Sequence, residues 1–455
     1  MDEPRKEDWK ELEGLIERGD AGEISRFLDE LPLGETARLV DRLDDTHRSR
    51  LLLALEPDRA AAVMDQIPEA RAAVLLEAMP ADTAAAILEV LPSDEQVDLM
   101  SYLPEPEQEA ILQAMDPEWA ADARALAKYP DEVAGGLMIA EYLSYPQSLT
   151  VNQVVEDLRA NQDEYRGYNV QYAYVTDNEG VLVGVLRLRD LLLASPRDVL
   201  TKLMIQNPVS VIDDTSLDGL RDFFERHRFL GVPVVDPVGR LVGVVESVAV
   251  EAALSERAGS DYLKAQGIVG GEELRSMPIA VRSRRRLAWL SANIVLNVGA
   301  ASVIAYYQDT LSQVIALAVF LPMISDMSGC SGNQAVAVSM RELSLGLVKP
   351  SEVFRVWRQE IAVGVLNGLV LGLLIAGVAW VWQGSAVLGA VVGAALAMNT
   401  VVAVSVGGTL PLVLRKVGVD PALASGPLLT TLTDVCGFFL ALTLASAALP
   451  YLTAG

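Results

Sequence analysis

The chain has 455 residues and carries 61 Asp and Glu against 36 Lys and Arg, a formal charge of −25. That balance excludes a broad nucleic-acid surface, which needs clustered cations to meet phosphates. Two Cys exclude a disulfide framework, and two His argue against a His-built zinc centre or a His-based catalytic triad. The length suggests about three domains at roughly 150 residues each.

The charge is unevenly placed. Residues 281–455 hold seven acids and ten Lys or Arg, while residues 1–280 hold 54 acids and 26 bases. An acidic soluble portion therefore precedes an apolar, nearly neutral one. The opening stretch MDEPRKEDWKELEGLIERGD lacks the apolar core of a secretory signal, so the N-terminus is expected in the cytoplasm.

From residue 31 to 117 the chain repeats. Pairs ending in proline occur at Leu31-Pro32, Glu56-Pro57, Ile67-Pro68, Met79-Pro80, Leu91-Pro92, Leu103-Pro104 and Asp116-Pro117. Each proline opens a short segment with Ala and Leu at helical spacing, and proline suits a first helical turn. Stacked short helices of this kind predict an all-α superhelical domain over residues 1–130. Its acids, such as Asp94, Glu95 and Asp98, read as a solvated face or as part of a cation-sensing surface.

A longer repeat follows. YVTDNEGVLVGVL from Tyr174 matches VVDPVGRLVGVV from Val234, aligning Asp177 with Asp236, Gly180 with Gly239 and Gly184 with Gly243. Each copy predicts a hairpin, strand–turn–strand, with Asp and Gly in the turn. LMI at Leu137 parallels LMI at Leu203. The duplicated β-α-β-β-α unit resembles a tandem pair of CBS domains, which are regulatory ligand-binding modules, over residues 131–200 and 201–257. A charged linking helix is expected at 258–284, ending in RSRRR.

Five apolar segments then have the length a bilayer requires: Leu287–Tyr307, Leu311–Val338, Ile361–Trp382, Val387–Leu414 and Ser425–Leu452. Arg282, Arg284, Arg285 and Arg286 precede the first. Arg341, Lys349, Arg355 and Arg358 lie between the second and third, and Arg415 and Lys416 between the fourth and fifth. The positive-inside rule then puts the N-terminus in the cytoplasm and the C-terminus outside. Tyr306, Tyr307, Trp380, Trp382 and Tyr451 fall at the outer ends. Most of the glycines in these segments are expected to serve close helix packing.

The polar residues of the spans carry more chemistry. Asp434, in PLLTTLTDVCGFF, is a lone carboxylate about ten residues into the last span, with Thr430 and Gly437 on the same face. A carboxylate there costs several kcal/mol unless it meets a partner, water or an ion. In LPMISDMSGCSGNQAVAVSMREL, Asp326, Cys330 and Asn333 fall at i, i+4 and i+7 and share a face, while Gly329 and Gly332 permit close approach. Carboxylates, amides and hydroxyls without His favour a hard cation, and a single carboxylate per chain suits Mg²⁺, which keeps its waters. The alternative for Asp434 is a structural carboxylate bonded to Thr and Asn. Cys330 and Cys436 read first as small apolar residues.

A proline-punctuated helical domain, a CBS pair, a linking helix and five membrane helices, with Pro322, Gly329, Gly332 and Gln334 in the second span and TTLTDVCGF in the last, resemble the MgtE family of magnesium transporters. The resemblance implies a homodimer with a pore on its two-fold axis in the lipid bilayer, no enzymatic activity and no nucleic-acid partner. It implies that Asp434 binds hydrated Mg²⁺ in the pore; the shared face makes Asp326 a candidate for the pore or its vestibule, with a structural role as the alternative, and Asn333 a candidate pore-lining residue. It further implies that cytoplasmic Mg²⁺ on the soluble domains closes the channel, with Asp261 of the linking helix and Asp420 of the last loop among the regulatory acids.

This chain departs from the family pattern at Cys330, where Asn is usual, and at Asp326, where Gly is common. Arg228, Val248, Ala249 and Arg257 stand where relatives carry acids. Two other readings stay open: transport of another divalent cation such as Mn²⁺ or Co²⁺, and a membrane sensor that transports nothing. The sequence also leaves open whether the CBS pair binds a nucleotide.

Overall fold

The computed structural model describes residues 8–31, 35–162, 165, 168, 172–270, 273, 275, 277 and 279–452. Pro32 of the first proline pair and residues 1–7 of the opening stretch lie outside them. The chain divides into two units, Met1–Glu256 and Arg257–Gly455.

Among the described residues the first unit begins with ten short helices: α1 (Asp8–Arg18), α2 (Ala21–Asp29), α3 (Glu35–Arg42), α4 (Asp45–Ala54), α5 (Pro57–Met64), α6 (Glu69–Glu77), α7 (Ala81–Leu88), α8 (Ser93–Ser101), α9 (Glu105–Ala114) and α10 (Pro117–Leu126). The repeat sets their starts, although the prolines are shifted from the expected position. Pro57 and Pro117 occupy the first helical turn, whereas Pro68, Pro80, Pro92 and Pro104 are the N-caps of α6 to α9. A cap residue needs only its carbonyl, which closes the first helical bond, as Pro80 O does with Ala84 N at 3.0 Å. From α4 to α10 each helix packs against the next but one, which winds the array into a superhelix. Ile87, Leu88, Leu75, Leu76 and Leu51 form its fully buried spine. Truncating one such Leu to Ala costs about 2–5 kcal/mol.

The CBS pair follows: β1 (Met138–Ile139), β2 (Leu143–Pro146), α11 (Val151–Ala160), β3 (Tyr172–Thr176), β4 (Leu182–Arg187), α12 (Leu188–Leu193), β5 (Ile205–Gln206), β6 (Val211–Ile212), α13 (Leu217–Arg226), β7 (Gly231–Val235) and β8 (Leu241–Glu246). Both hairpin turns form as the repeat predicts. Asp177 Oδ1 accepts from Glu179 N and Val181 N, Asp236 Oδ1 accepts from Val238 N and Arg240 N, and Gly180 and Gly239 take φ of +83° and +91°.

The repeats are not self-contained. Each sheet takes an edge strand from the other copy, giving the orders β6-β7-β8-β1 and β2-β3-β4-β5. The two LMI motifs lead into these exchanged strands, β1 holding Met138 and Ile139 and β5 starting at Ile205. Met204 lies over Gly184 and Met138 over Gly243, where a side chain at either glycine would collide with the methionine.

A helix α14 (Ser247–Ala265) leaves the second sheet. The linking helix expected at 258–284 does not run through. Ile268 N donates to Leu263 O and Gly267 N to Lys264 O, with Gly267 at φ +83°, which is a Schellman stop. The Trp289 ring lies against Gly267, where no side chain fits.

The second unit holds α15 (Ile279–Tyr306), α16 (Gln308–Gln313), α17 (Leu317–Ser344), α18 (Val353–Gln383), α19 (Ala386–Lys416), α20 (Pro421–Ala447) and α21 (Leu449–Leu452). Four of these, α15, α18, α19 and α20, are long and apolar enough to cross a membrane. The expected second span differs in its bounds and character: Gln308–Gln313 forms its own short helix, and α17 carries Asp326, Asn333, Arg341 and Glu342, which lower its apolarity. Helices α18 and α19 meet backbone to backbone, because Gly364, Gly368 and Gly372 face Val401, Ala397 and Gly393. Gly332 and Gly407 do the same for α17 and α19. These glycines serve packing, as expected in a lipid-facing bundle.

Candidate functional site

Two constellations of carboxylates stand out, one in each unit. In the second unit, Asp326, Cys330 and Asn333 of α17 line one pocket of about 350 Å³ with Thr430, Thr433, Asp434 and Phe438 of α20. The face predicted from their spacing is therefore real, and the fold brings it against the last helix. Asp434 is half-buried and Ser325 Oγ donates to its Oδ1. Asp326, Cys330 and Asn333 are exposed to the opening. Gly437, expected beside Asp434, does not line the pocket; it packs behind it against the amide of Asn399.

Asn399 is the residue that sequence reasoning missed. It is fully buried on α19, and its Nδ2 donates to Ser328 Oγ on α17 and to Thr433 O on α20 at 3.0 Å. One amide thus ties together the two helices that carry Asp326 and Asp434. Its Oδ1 has no hydrogen-bond partner among the described residues. The signal was a lone amide in the apolar run AMNTVV.

The first unit contains a cavity of about 1020 Å³ between the helical domain and the CBS pair. Asp58, Glu69, Glu89, Asp94, Glu95, Asp98, Glu141, Glu246 and Glu256 line it, and no Lys or Arg does among the described residues. Ser93, at the start of α8, anchors the two domains by donating to Glu141 Oε2 and accepting from Ala140 N, each at 2.8 Å. Asp94, Glu95 and Asp98 are half-buried rather than a solvated face.

Burial raises the pKa of Asp98 to about 8, with Glu69, Asp94, Asp131 and Glu256 adding repulsion. Burial raises Glu95 to about 7, with Asp65, Asp94 and Glu69 contributing. Asp94 and Glu141 are raised for the same first reason. Val248 and Ala249 line this cavity where the resemblance expects acids. Arg228 is exposed and Arg257 half-buried.

Asp420 and Asp261 do not join either constellation. Asp420 caps α20, accepting from Ala422 N at 2.9 Å, and its Oδ2 meets Lys264 Nζ of α14 at 3.2 Å. Asp261 is half-buried one turn before Lys264.

A small cleft of about 90 Å³ between the CBS sheets is ringed by Tyr142, Tyr172, Tyr174, Glu141 and Glu246. No Lys or Arg lines it among the described residues.

A unit of short helices and a CBS pair followed by a bundle of long apolar helices has the architecture of a multidomain membrane protein. The comparisons agree. Residues 321–444 match the divalent cation transporter family MgtE, residues 31–132 the MgtE intracellular N domain, and residues 134–197 and 197–254 the CBS domain. The magnesium transporter MgtE of Thermus thermophilus is 36% identical over 334 residues, 73% of each chain, and that of Bacillus subtilis 34% over 337 residues, 74% of each. A crystal structure of the cytosolic domain of the Mg²⁺ channel MgtE in complex with ATP is 31% identical, covering 54% of this chain and 99% of that one at a TM-score of 0.49. The chain belongs to the MgtE family of magnesium transporters, which are not enzymes.

Proposed function

We propose that the chain is a multi-pass membrane protein that conducts Mg²⁺ through a pore on the two-fold axis of a homodimer, with α15, α17, α18, α19 and α20 as its five spans. The pocket of Asp434 carries this reading. A carboxylate held by a serine hydroxyl, facing an amide, two threonines and a second carboxylate, presents oxygen to a cation with its waters still attached. The polar character of α17 fits a helix that lines a water-filled path. With no phosphate-cradling motif to couple hydrolysis, flux follows the electrochemical gradient. A negative-inside potential of 100 mV favours divalent influx by about 4.6 kcal/mol.

The N-terminus is assigned to the cytoplasm and the C-terminus to the outside, in line with the distribution of Lys and Arg. The acidic cavity is the proposed regulatory Mg²⁺ site: nine carboxylates line it, burial and repulsion raise Asp98 and Glu95, and divalent ions would hold its walls together. Asp261 and Asp420 are proposed to act on the gate through Lys264 as well as through an ion, since an ammonium already meets Asp420.

The test is Mg²⁺ flux into liposomes carrying the purified protein, wild type beside Asp434→Asn, at low and high Mg²⁺ on the cytoplasmic face. Flux lost in the variant supports the pore, and inhibition by cytoplasmic Mg²⁺ supports the gate. No flux from well-folded wild type would favour a sensor. Competition by Mn²⁺ or Co²⁺ equal to that by Mg²⁺ itself would favour the broader cation reading, for which Asp326 and Cys330 in the pocket are the motivating residues.

A further inference from the structure

A third group of ligand-bearing side chains lies where α1 meets α4, away from both constellations. Glu13 comes from α1, and Asp44 and His47 from the start of α4; their ligand atoms all lie within 4.8 Å of one another. His47 Nδ1 is 2.9 Å from Asp44 Oδ1 and 3.8 Å from Glu13 Oε1. On the other side of the ring, Nε2 is 3.8 Å from Glu17 Oε1. Glu13 and Glu17 are one helical turn apart, so they reach the same side of α1 and bracket the imidazole. The ring itself is only 15% exposed, which fixes its place.

Without an ion, Asp44 N-caps α4, its Oδ1 accepting from His47 N at 2.8 Å and lying 2.9 Å from His47 Nδ1, while Glu13 and Glu17 each come within 3.8 Å of the ring. Three carboxylates around one imidazole form a mixed oxygen and nitrogen set that a divalent ion would draw together. The arrangement also has the form of a ligating histidine, with one ring nitrogen toward two carboxylates and the other toward an outer carboxylate that would accept its proton.

We propose that His47 Nδ1, Glu13 and Asp44 form a transition-metal site on the helical domain, with Glu17 as the outer partner that orients the ring. The ion belongs to the Zn²⁺, Co²⁺ and Ni²⁺ class, because imidazole nitrogen suits these metals and Mg²⁺ demands oxygen. Bonds of about 2.1 Å around a tetrahedral ion place ligand atoms about 3.4 Å apart, so Asp44 Oδ1 would move out from its 2.9 Å contact with Nδ1 and Glu13 Oε1 would move in from 3.8 Å. Water completes the coordination. Binding ties α1 to α4, a link independent of the pore and of the acidic cavity.

The test uses the full-length protein in detergent with excess Mg²⁺ to occupy oxygen-only sites. Co²⁺ is titrated while its visible absorption is followed, and Zn²⁺ binding is measured by calorimetry. The expected result is one Mg²⁺-resistant Co²⁺ or Zn²⁺ per chain, lost in His47→Gln and weakened by about tenfold to a hundredfold in Glu17→Gln. Glu13→Gln, a change on a partly exposed side chain, supplies the same loss should His47→Gln fold poorly. A wild type without a Mg²⁺-resistant Co²⁺ band, or variants that bind Zn²⁺ as the wild type does, would overturn the site.

Discussion

The acidic cavity of the first unit and the Asp434 pocket of the second are both lined by carboxylates, with opposite designs. The cavity is lined by nine carboxylates, and burial and mutual repulsion push Asp98 and Glu95 toward neutrality. The pocket uses few carboxylates and supports Asp434 with the Ser325 hydroxyl. The first design would suit the proposed sensor, where an ion relieves repulsion, and the second the proposed pathway, where an ion must also leave.

The comparison breaks most sharply at Asp434. Asp434→Asn should lower Mg²⁺ flux by more than about tenfold, since a loss of only 1.4 kcal/mol of ion stabilisation has that effect. Flux within twofold of wild type would separate the pocket from transport.

The cavity makes a prediction of the opposite sign. Asp98 and Glu95 bind their protons more tightly folded than unfolded, so their contribution to stability is greatest at low pH. It declines as pH rises from the ordinary carboxylate range to about 8. Melting of the purified protein without divalent ions should fall across about pH 5 to 8, and Mg²⁺ should restore it more at pH 8 than at pH 6. Asp98→Asn should flatten the pH dependence and shrink the Mg²⁺ shift; an unchanged profile would mean that the cavity is not strained.

Asn399→Ala should cost about 1 kcal/mol in the membrane unit and lower flux without touching the ion, because it removes the ties from α19 to Ser328 and Thr433. Stability and flux both at wild-type level would show that the tie is dispensable. The smallest effect is expected at Lys264→Ala, where a part-exposed ion pair with Asp420 contributes at most about 1 kcal/mol. A changed Mg²⁺ threshold for closure, read in the flux assay, would assign that pair to the gate.

Local chemistry was legible in the sequence. The proline pairs marked the helix starts of the solenoid, and Asp177, Gly180, Asp236 and Gly239 fixed two turns by bonds within four residues. The spacing of Asp326, Cys330 and Asn333 put them on one face, and one face of a helix becomes one wall of one pocket. The break at Gly267 was local too, yet charged residues on both sides masked it.

What the tertiary structure decided depends on distance along the chain. The exchange of strands β1 and β5 between repeats, the burial of Asp94, Glu95 and Asp98 against the CBS pair, and the bridge from Asn399 to Ser328 and Thr433 join residues tens of positions apart. Periodicity tells which side chains share a surface, but only packing tells which surface it meets, and therefore whether a carboxylate is solvated or confined among others of its own charge.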